Sequence, residues 1–183
     1  MIFEETAIKD LYTVDLTPIK DDRGFFVRSF CINEFSSIRK DINIVQINHT
    51  LTTERGSVRG MHFQQPPFGE TKIVRCIKGS VFDVAVDLRK DSNTFLQWYG
   101  INLSEENMKL LVIPEGFAHG FQTLDDNCEM LYLHTEFYNK EYESGIRYND
   151  PSIGIEWKLP VSNISDRDRN HLLIDKSFKG IVL

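Results

Sequence analysis

Between Lys72 and Leu88 the chain reads KIVRCIKGSVFDVAVDL, two apolar-rich runs broken at Lys78-Gly79-Ser80. In the second run Phe82, Val84, Val86 and Leu88 share one face, and Val81, Asp83, Ala85 and Asp87 share the other, because successive strand side chains point to opposite sides. Similar short runs predict strands over 45–52, 57–64, 95–102, 109–113, 119–123 and 130–138. Helical signals are confined to 33–39 and to one turn at 104–107, which Ser104 can cap. Proline and glycine gather between the runs, as in Gln65-Pro66-Pro67-Phe68-Gly69 and Pro114-Glu115-Gly116, where tight turns need them. The tail after Lys158 is less periodic, and Asp166-Arg167-Asp168-Arg169 reads as a solvated charged segment. Many short strands at close spacing predict an all-β sandwich or barrel with a few short helices.

Composition narrows the class. The 183 residues show no internal repeat or linker, so a single domain over 1–183 is expected. Hydrophobic residues at 41% and charged residues at 26% exclude wholesale disorder. Lys and Arg number 21 against 27 Asp and Glu, a net charge of −6, so no basic face for nucleic acid is expected. No run approaches the roughly 18 apolar residues of a membrane span, and Met1-Ile2-Phe3-Glu4-Glu5 lacks the basic start of a secretion signal. Three cysteines, Cys31, Cys76 and Cys128, make no C-x-x-C pair, which fits a reducing cytoplasm.

The chemistry concentrates in two places. Arg59, His62, Gln64 and Lys72 lie close together, and His119, Tyr132, His134 and Tyr138 follow on later strands. Parity puts His62 with Gly60 and Gln64, and turns Arg59 the other way unless the strand bulges at Gly60. Lys72 shares a face with Val74 and Cys76, and Tyr132 with Met130 and His134, so a small barrel could gather His62, Lys72 and Tyr132 inside. Each residue also has a structural reading: strand histidines usually make hydrogen bonds, lysines are usually solvated, and tyrosines usually pack. Metal binding is not favoured, since His62 and His119 alone offer two imidazoles where zinc or iron takes three or more protein ligands. No phosphate-binding glycine loop or G-x-S-x-G elbow is present.

The words themselves are more specific. Asp22-Arg23-Gly24-Phe25-Phe26, Gln46-Ile47-Asn48-His49-Thr50, Val58-Arg59-Gly60-Met61-His62-Phe63-Gln64, Lys72-Ile73-Val74-Arg75 and Ile113-Pro114-Glu115-Gly116-Phe117-Ala118-His119-Gly120-Phe121 occur in order. Tyr132, Tyr138, Asn149-Asp150-Pro151 and Ile164-Ser165-Asp166-Arg167-Asp168 follow. From about Thr6 to Asp168 the chain resembles the dTDP-4-dehydrorhamnose 3,5-epimerase family. The resemblance implies a cupin-type jelly-roll β-barrel, a homodimer, no metal or organic cofactor, and a nucleotide-linked 4-keto-6-deoxyhexose inverted at C3 and C5 on the route to L-rhamnose. It makes His62 similar to the family's general base, Asp168 to its carboxylate partner, Tyr132 to the acid on the opposite face, and Lys72 to the residue facing the keto oxygen. Arg23, Gln46, Asn48, Arg59, His119, Tyr138, Glu143 and Arg167 fall at positions similar to those that hold substrate, Tyr138 at that of the aromatic stacked on the nucleotide base.

Three positions depart from the pattern: Arg28 stands where the family commonly has Glu, Leu133 where it often has Lys, and Arg167 where Lys is usual. A guanidinium at 28 cannot accept a hydrogen bond as a carboxylate would, which leaves the nucleotide and sugar open. So do the single-centre epimerases and 3,4-ketoisomerases expected on the same scaffold. From other classes come a metal-dependent cupin oxygenase and a non-catalytic sugar binder.

Overall fold

The structure is a computed structural model and describes residues 1–40 and 42–183. In chain order it contains β1 (Ile2–Glu5), β2 (Tyr12–Asp15), β3 (Ile19–Asp21), β4 (Gly24–Phe26), α1 (Ile32–Phe35), β5 (Gln46–Thr52), β6 (Val58–Gln64) and β7 (Lys72–Lys78). There follow β8 (Ser80–Asp87), β9 (Trp98–Ser104), β10 (Lys109–Ile113), β11 (Phe117–Thr123), β12 (Cys128–His134), β13 (Glu143–Gly145) and α2 (Asp166–Arg169). One sheet has the order β1-β2-β10-β7-β12-β5 and the other β13-β6-β11-β8-β9, while β3 and β4 pair with each other. Neighbouring strands are antiparallel, and the two sheets face one another as a cupin-type jelly roll.

The alternation in β8 explains how the layers are filled. Val81 and Ala85 point between the sheets, joining Val74, Leu111, Phe121 and Met130. Phe82, Val84 and Val86 point out of the second sheet and are covered by Ile146, Ile153, Trp157 and Phe178. The segment after β13 and the weakly periodic tail, through Ile174, Phe178 and Ile181, together cover this apolar sheet face. The other sheet is covered by the N-terminal region, where Phe35 and Ile42 meet Ile73, Leu110 and Leu133. Burying one such side chain contributes roughly 1.5–3 kcal/mol, so each covering segment is held by its few apolar anchors.

Several predicted boundaries move. The strand expected over 95–102 begins at Trp98, because the buried Asp87 carboxylate accepts hydrogen bonds from Ser92 and Thr94 at 2.6 and 2.7 Å and folds the preceding segment into turns. The strand expected over 130–138 ends at His134; beyond it Gln64 binds the Phe137 carbonyl and the Asn139 amide. Ser104 caps Asn107 as expected, at 3.0 Å, but it ends a strand and opens a turn, not a helix. The helix expected over 33–39 is the shorter α1. The segment read as solvated charge is α2, with Ser165 accepting from the Asp168 amide at its N-terminus and Asp168 buried. Strands β1 to β4 and β13, each three or four residues long, were too short to show alternation.

Strict parity along β6, which would turn Arg59 away from His62, is broken by a bulge at Gly60. His62 pairs with His119 and Arg59 with Phe121, so three steps along β6 match two along β11. Gly60 has φ +125°, and a Cβ there would lie 2.6 Å from the Gly120 Cα. Only a residue without a side chain fits so close an approach. The extra residue turns Arg59 to the same side as His62 and Gln64.

Candidate active site

A cavity of roughly 270 Å³ opens between the sheets, and strands from both supply its walls. From β6 come Arg59, His62 and Gln64, from β7 Lys72, from β11 His119, and from β12 Tyr132 and His134. Asn48 and Thr50 enter from β5, Glu143 from β13, and Tyr138 from the segment after β12.

His62 and Asp168 form a hydrogen-bonded imidazole–carboxylate pair. The carboxylate Oδ1 lies 2.8 Å from His62 Nε2, and its Oδ2 accepts from the Gly60 amide at 3.0 Å. Burial pushes the Asp168 carboxyl up, but His62 and the Gly60 amide overcome that and hold it far below the usual carboxylate range. An ionised carboxylate only accepts, so Nε2 carries the hydrogen and Nδ1 is the nitrogen free to take a proton. Arg167 Nη2 also approaches Nε2, at 2.9 Å. Because Nε2 already donates and a guanidinium has no acceptor, this is charge proximity and not a second hydrogen bond. Arg167 binds Glu143 through Nη1 at 2.9 and 3.0 Å, and Glu143 accepts from the Tyr138 hydroxyl at 2.9 Å.

Tyr132 stands on the facing sheet. The Tyr132 hydroxyl lies 3.4 Å from Thr50 Oγ1, and burial pushes its pKa well above the ordinary phenol value, so the proton stays on oxygen. Beside His62, on the same sheet, His119 Nε2 meets both oxygens of the fully buried Asp83 at 2.9 and 3.0 Å. Burial raises the Asp83 carboxyl and the imidazole opposes it. Lys72 Nζ donates to Glu70 Oε1 at 3.2 Å and to the His62 carbonyl at 3.3 Å. An ammonium has three N–H donors, which leaves one for a ligand.

The structure thus brings His62, Lys72, Tyr132, Asp168, Asn48, Arg59, His119, Tyr138, Glu143 and Arg167 to one region. Gln46 sits beside it, accepting from the Tyr138 amide at 3.2 Å. Arg23 does not join them: it lies in the β3–β4 turn, exposed and paired with Asp21. Of the departing positions, Arg28 pairs with Glu34 on the surface, and Leu133 is buried in the outer core.

Four neighbours were missed. Asp83 had a signal, as a charged residue on the inward face of an apolar strand. Glu70 stands two residues before Lys72, and Thr50 faces the Tyr132 hydroxyl across β5 and β12. The fourth is His171, whose ring meets that of His62 edge-on at 5.8 Å. Its ligand atom lies within 4.8 Å of those of His62 and Asp168. Where the sequence offers only His62 and His119 as metal ligands, the fold makes a three-donor cluster of His171, His62 and Asp168, a set able to hold a cation.

Among the described residues no helix is long and apolar enough to cross a membrane. The family model for dTDP-4-dehydrorhamnose 3,5-epimerase matches residues 5–176. The enzyme of that name from Shigella flexneri is 46% identical over 167 residues, covering 91% of this chain and 92% of its own. The crystal structure of the Bacillus anthracis dTDP-4-dehydrorhamnose 3,5-epimerase, with TDP and pyrophosphate bound, superposes with a TM-score of 0.91 at 38% identity, over 94% of this chain and 99% of that one. A 3,5-epimerase from Legionella pneumophila in complex with dTDP-4-keto-L-rhamnose gives 0.89 at 36% identity, over 94% and 92%.

Proposed function

The chain belongs to the dTDP-4-dehydrorhamnose 3,5-epimerase family, and from that premise we propose how its cavity inverts C3 and C5 of dTDP-4-dehydro-6-deoxy-D-glucose to give dTDP-4-dehydro-L-rhamnose. The observation that carries this reading is a polarised His62–Asp168 pair and a protonated Tyr132 lining one cavity with the Lys72 ammonium.

A hydrogen beside a ketone is acidic because its conjugate base spreads onto the carbonyl oxygen. The C4 ketone activates C3 and C5 alike, so one site serves both centres. His62 Nδ1 takes the proton, and Asp168 stabilises the imidazolium that forms. The third N–H of Lys72 meets the keto oxygen and stabilises the enolate. Tyr132 returns a proton to the other face, leaving a tyrosinate and an imidazolium that exchange with solvent before the second inversion. No step uses a metal or organic cofactor.

The remaining roles follow charge and position. Arg59 and Arg167 offer forked donors to the diphosphate. Tyr138, half exposed beside Glu143, stacks on the base; Gln46, Asn48, His119 and Glu143 bind the sugar and nucleoside. The working unit is a single domain, supported by the tail docking through Ile181 beside Arg89, and its place is the cytoplasm, in keeping with three free thiols.

Proton NMR in D₂O tests the reaction. Incubated with dTDP-4-keto-6-deoxyglucose, the protein is expected to erase both the C3 and C5 proton signals. Loss at a single centre would make it a mono-epimerase, and no exchange would overturn the reading.

We also infer a homodimer. Among the described residues the β3–β4 hairpin joins no other sheet, yet Ile19, Phe25 and Phe26 on it are 71%, 56% and 69% exposed, and Ile47 and Leu51 on edge strand β5 are 61% and 50% exposed. Apolar hairpins and open edges of this kind call for a cover, and a second copy would bring Arg23 to the partner's substrate. Light scattering is expected to give twice the 21.3 kDa chain mass; a monomer at micromolar concentration would overturn the dimer.

A further inference from the structure

Two buried ionisable groups on the cavity wall have no part in the chemistry above. Glu70 and His134 are both nearly closed to solvent, and their side chains meet at 2.6 Å between Glu70 Oε2 and His134 Nδ1. The other Glu70 oxygen holds Lys72. Burial works to raise the Glu70 carboxyl, but the His134 hydrogen bond and the Lys72 charge prevail and keep it below its ordinary value. The group is therefore an anion.

The hydrogen-bond directions can be followed outward from Lys72. Ionised Glu70 accepts, so His134 Nδ1 carries the hydrogen. His134 Nε2 lies 3.2 Å from Asn48 Nδ2 and accepts from it. Asn48 is oriented for this because its Oδ1 accepts from Gln46 Nε2 at 3.2 Å. Gln46 Oε1 in turn accepts from the Tyr138 amide at 3.2 Å. Every donor meets an acceptor, and the Tyr138–Gln46–Asn48–His134–Glu70–Lys72 chain runs from the mouth of the cavity to its floor. Stacking of the His134 ring on Tyr132, at 6.2 Å between centroids and 20° between planes, fixes the imidazole from the side.

Resting on the epimerase reading, we propose that Glu70 and His134 are positioning residues: they hold the Lys72 ammonium at the keto oxygen and tie it to the nucleotide end of the cavity. Glu70 bound only to Lys72 could swing with it. Bound also to His134, it is a fixed anchor, and with the His62 carbonyl it aims the third N–H of Lys72 into the cavity. A chain of satisfied hydrogen bonds in a low-dielectric interior is stiff, and small displacements of an oxyanion stabiliser are expensive in rate.

The test is a cycle of variants read by C3 and C5 proton exchange in D₂O, with thermal unfolding as a check on folding. Glu70→Gln is expected to lower kcat about 10–100-fold while KM moves less than about 3-fold. His134→Ala should lower kcat in the same way, and His134→Asn, whose amide can replace the Nδ1–H donor, should recover most of the loss. In a Lys72→Met background, followed at high enzyme concentration, Glu70→Gln should cost no more than about 2-fold further, because it acts through Lys72. A Glu70→Gln penalty that persists undiminished without Lys72, or a raised KM at unchanged kcat, would overturn this inference and leave the epimerase standing. Wild-type protein that exchanges neither proton would instead bring down the reading on which it rests.

Discussion

Replacing His62 by alanine is expected to lower exchange of both the C3 and C5 protons by about 10²–10⁴-fold, the range a positioned base contributes. Both centres should suffer together, since one imidazole serves both. Binding should survive: the arginines and Tyr138 that hold the nucleotide stay in place, so KM is expected to move less than about 3-fold. The variant leaves Asp168 buried with the Gly60 amide at 3.0 Å and the longer Arg167 Nε contact at 3.4 Å as remaining partners, and a buried carboxylate that loses its shortest hydrogen bond is costly. A lower melting temperature is therefore expected as well, and binding of the dTDP-sugar by calorimetry shows that the folded fraction still has its site. Undiminished exchange by a folded His62→Ala protein would remove His62 from the role of base.

The strands that could be read in advance are those with enough residues to show alternation. β8 displayed two apolar faces over eight residues, and its burial between two separate clusters follows from that pattern. β10 was legible to the residue. Where the boundaries move, a side chain's hydrogen bonds had decided the backbone and not its hydrophobic pattern: Asp87, five to seven residues away, folded the stretch after β8 into turns, and Gln64, from distant β6, ended β12 by claiming Phe137 and Asn139. The tail had no period to read because it packs through scattered anchors such as Ile174, Phe178 and Ile181. The candidate site shows the same division. Parity brought Lys72 and Tyr132 into one interior, and the bulge at Gly60 brought Arg59 to His62. That Asp168 would be buried was not legible in a run of alternating charges; it required α2 to carry the carboxylate under β6. The partnerships of Asp83 with His119 and of Glu70 with His134 depend on cross-strand neighbours, which local sequence does not specify.

Replacing Tyr132 by phenylalanine is expected to separate the two halves of the reaction. The proposed acid is lost, but His62 and Asp168 are untouched, so proton removal should continue and substrate should still take up deuterium. What fails is delivery to the opposite face. An enolate without a donor there is reprotonated by the imidazolium that formed it, and configuration is retained. Inverted product, trapped by a partner reductase as dTDP-L-rhamnose, should fall about 10²–10⁴-fold, while solvent exchange falls much less. The pKa of Tyr132 favours this role over that of a base, because burial keeps the phenol protonated across the physiological range and a neutral hydroxyl can donate where a phenolate cannot. Phenylalanine preserves the ring that packs against His119 and stacks on His134, and the hydroxyl's partner, Thr50, is itself a hydroxyl that retains water as an alternative. The fold should accordingly hold, and unfolding should change by no more than about 1 kcal/mol, the worth of one hydrogen bond. Exchange and inversion that fall by the same factor would show that Tyr132 acts before the enolate forms, and the acid would have to be sought elsewhere on the cavity wall.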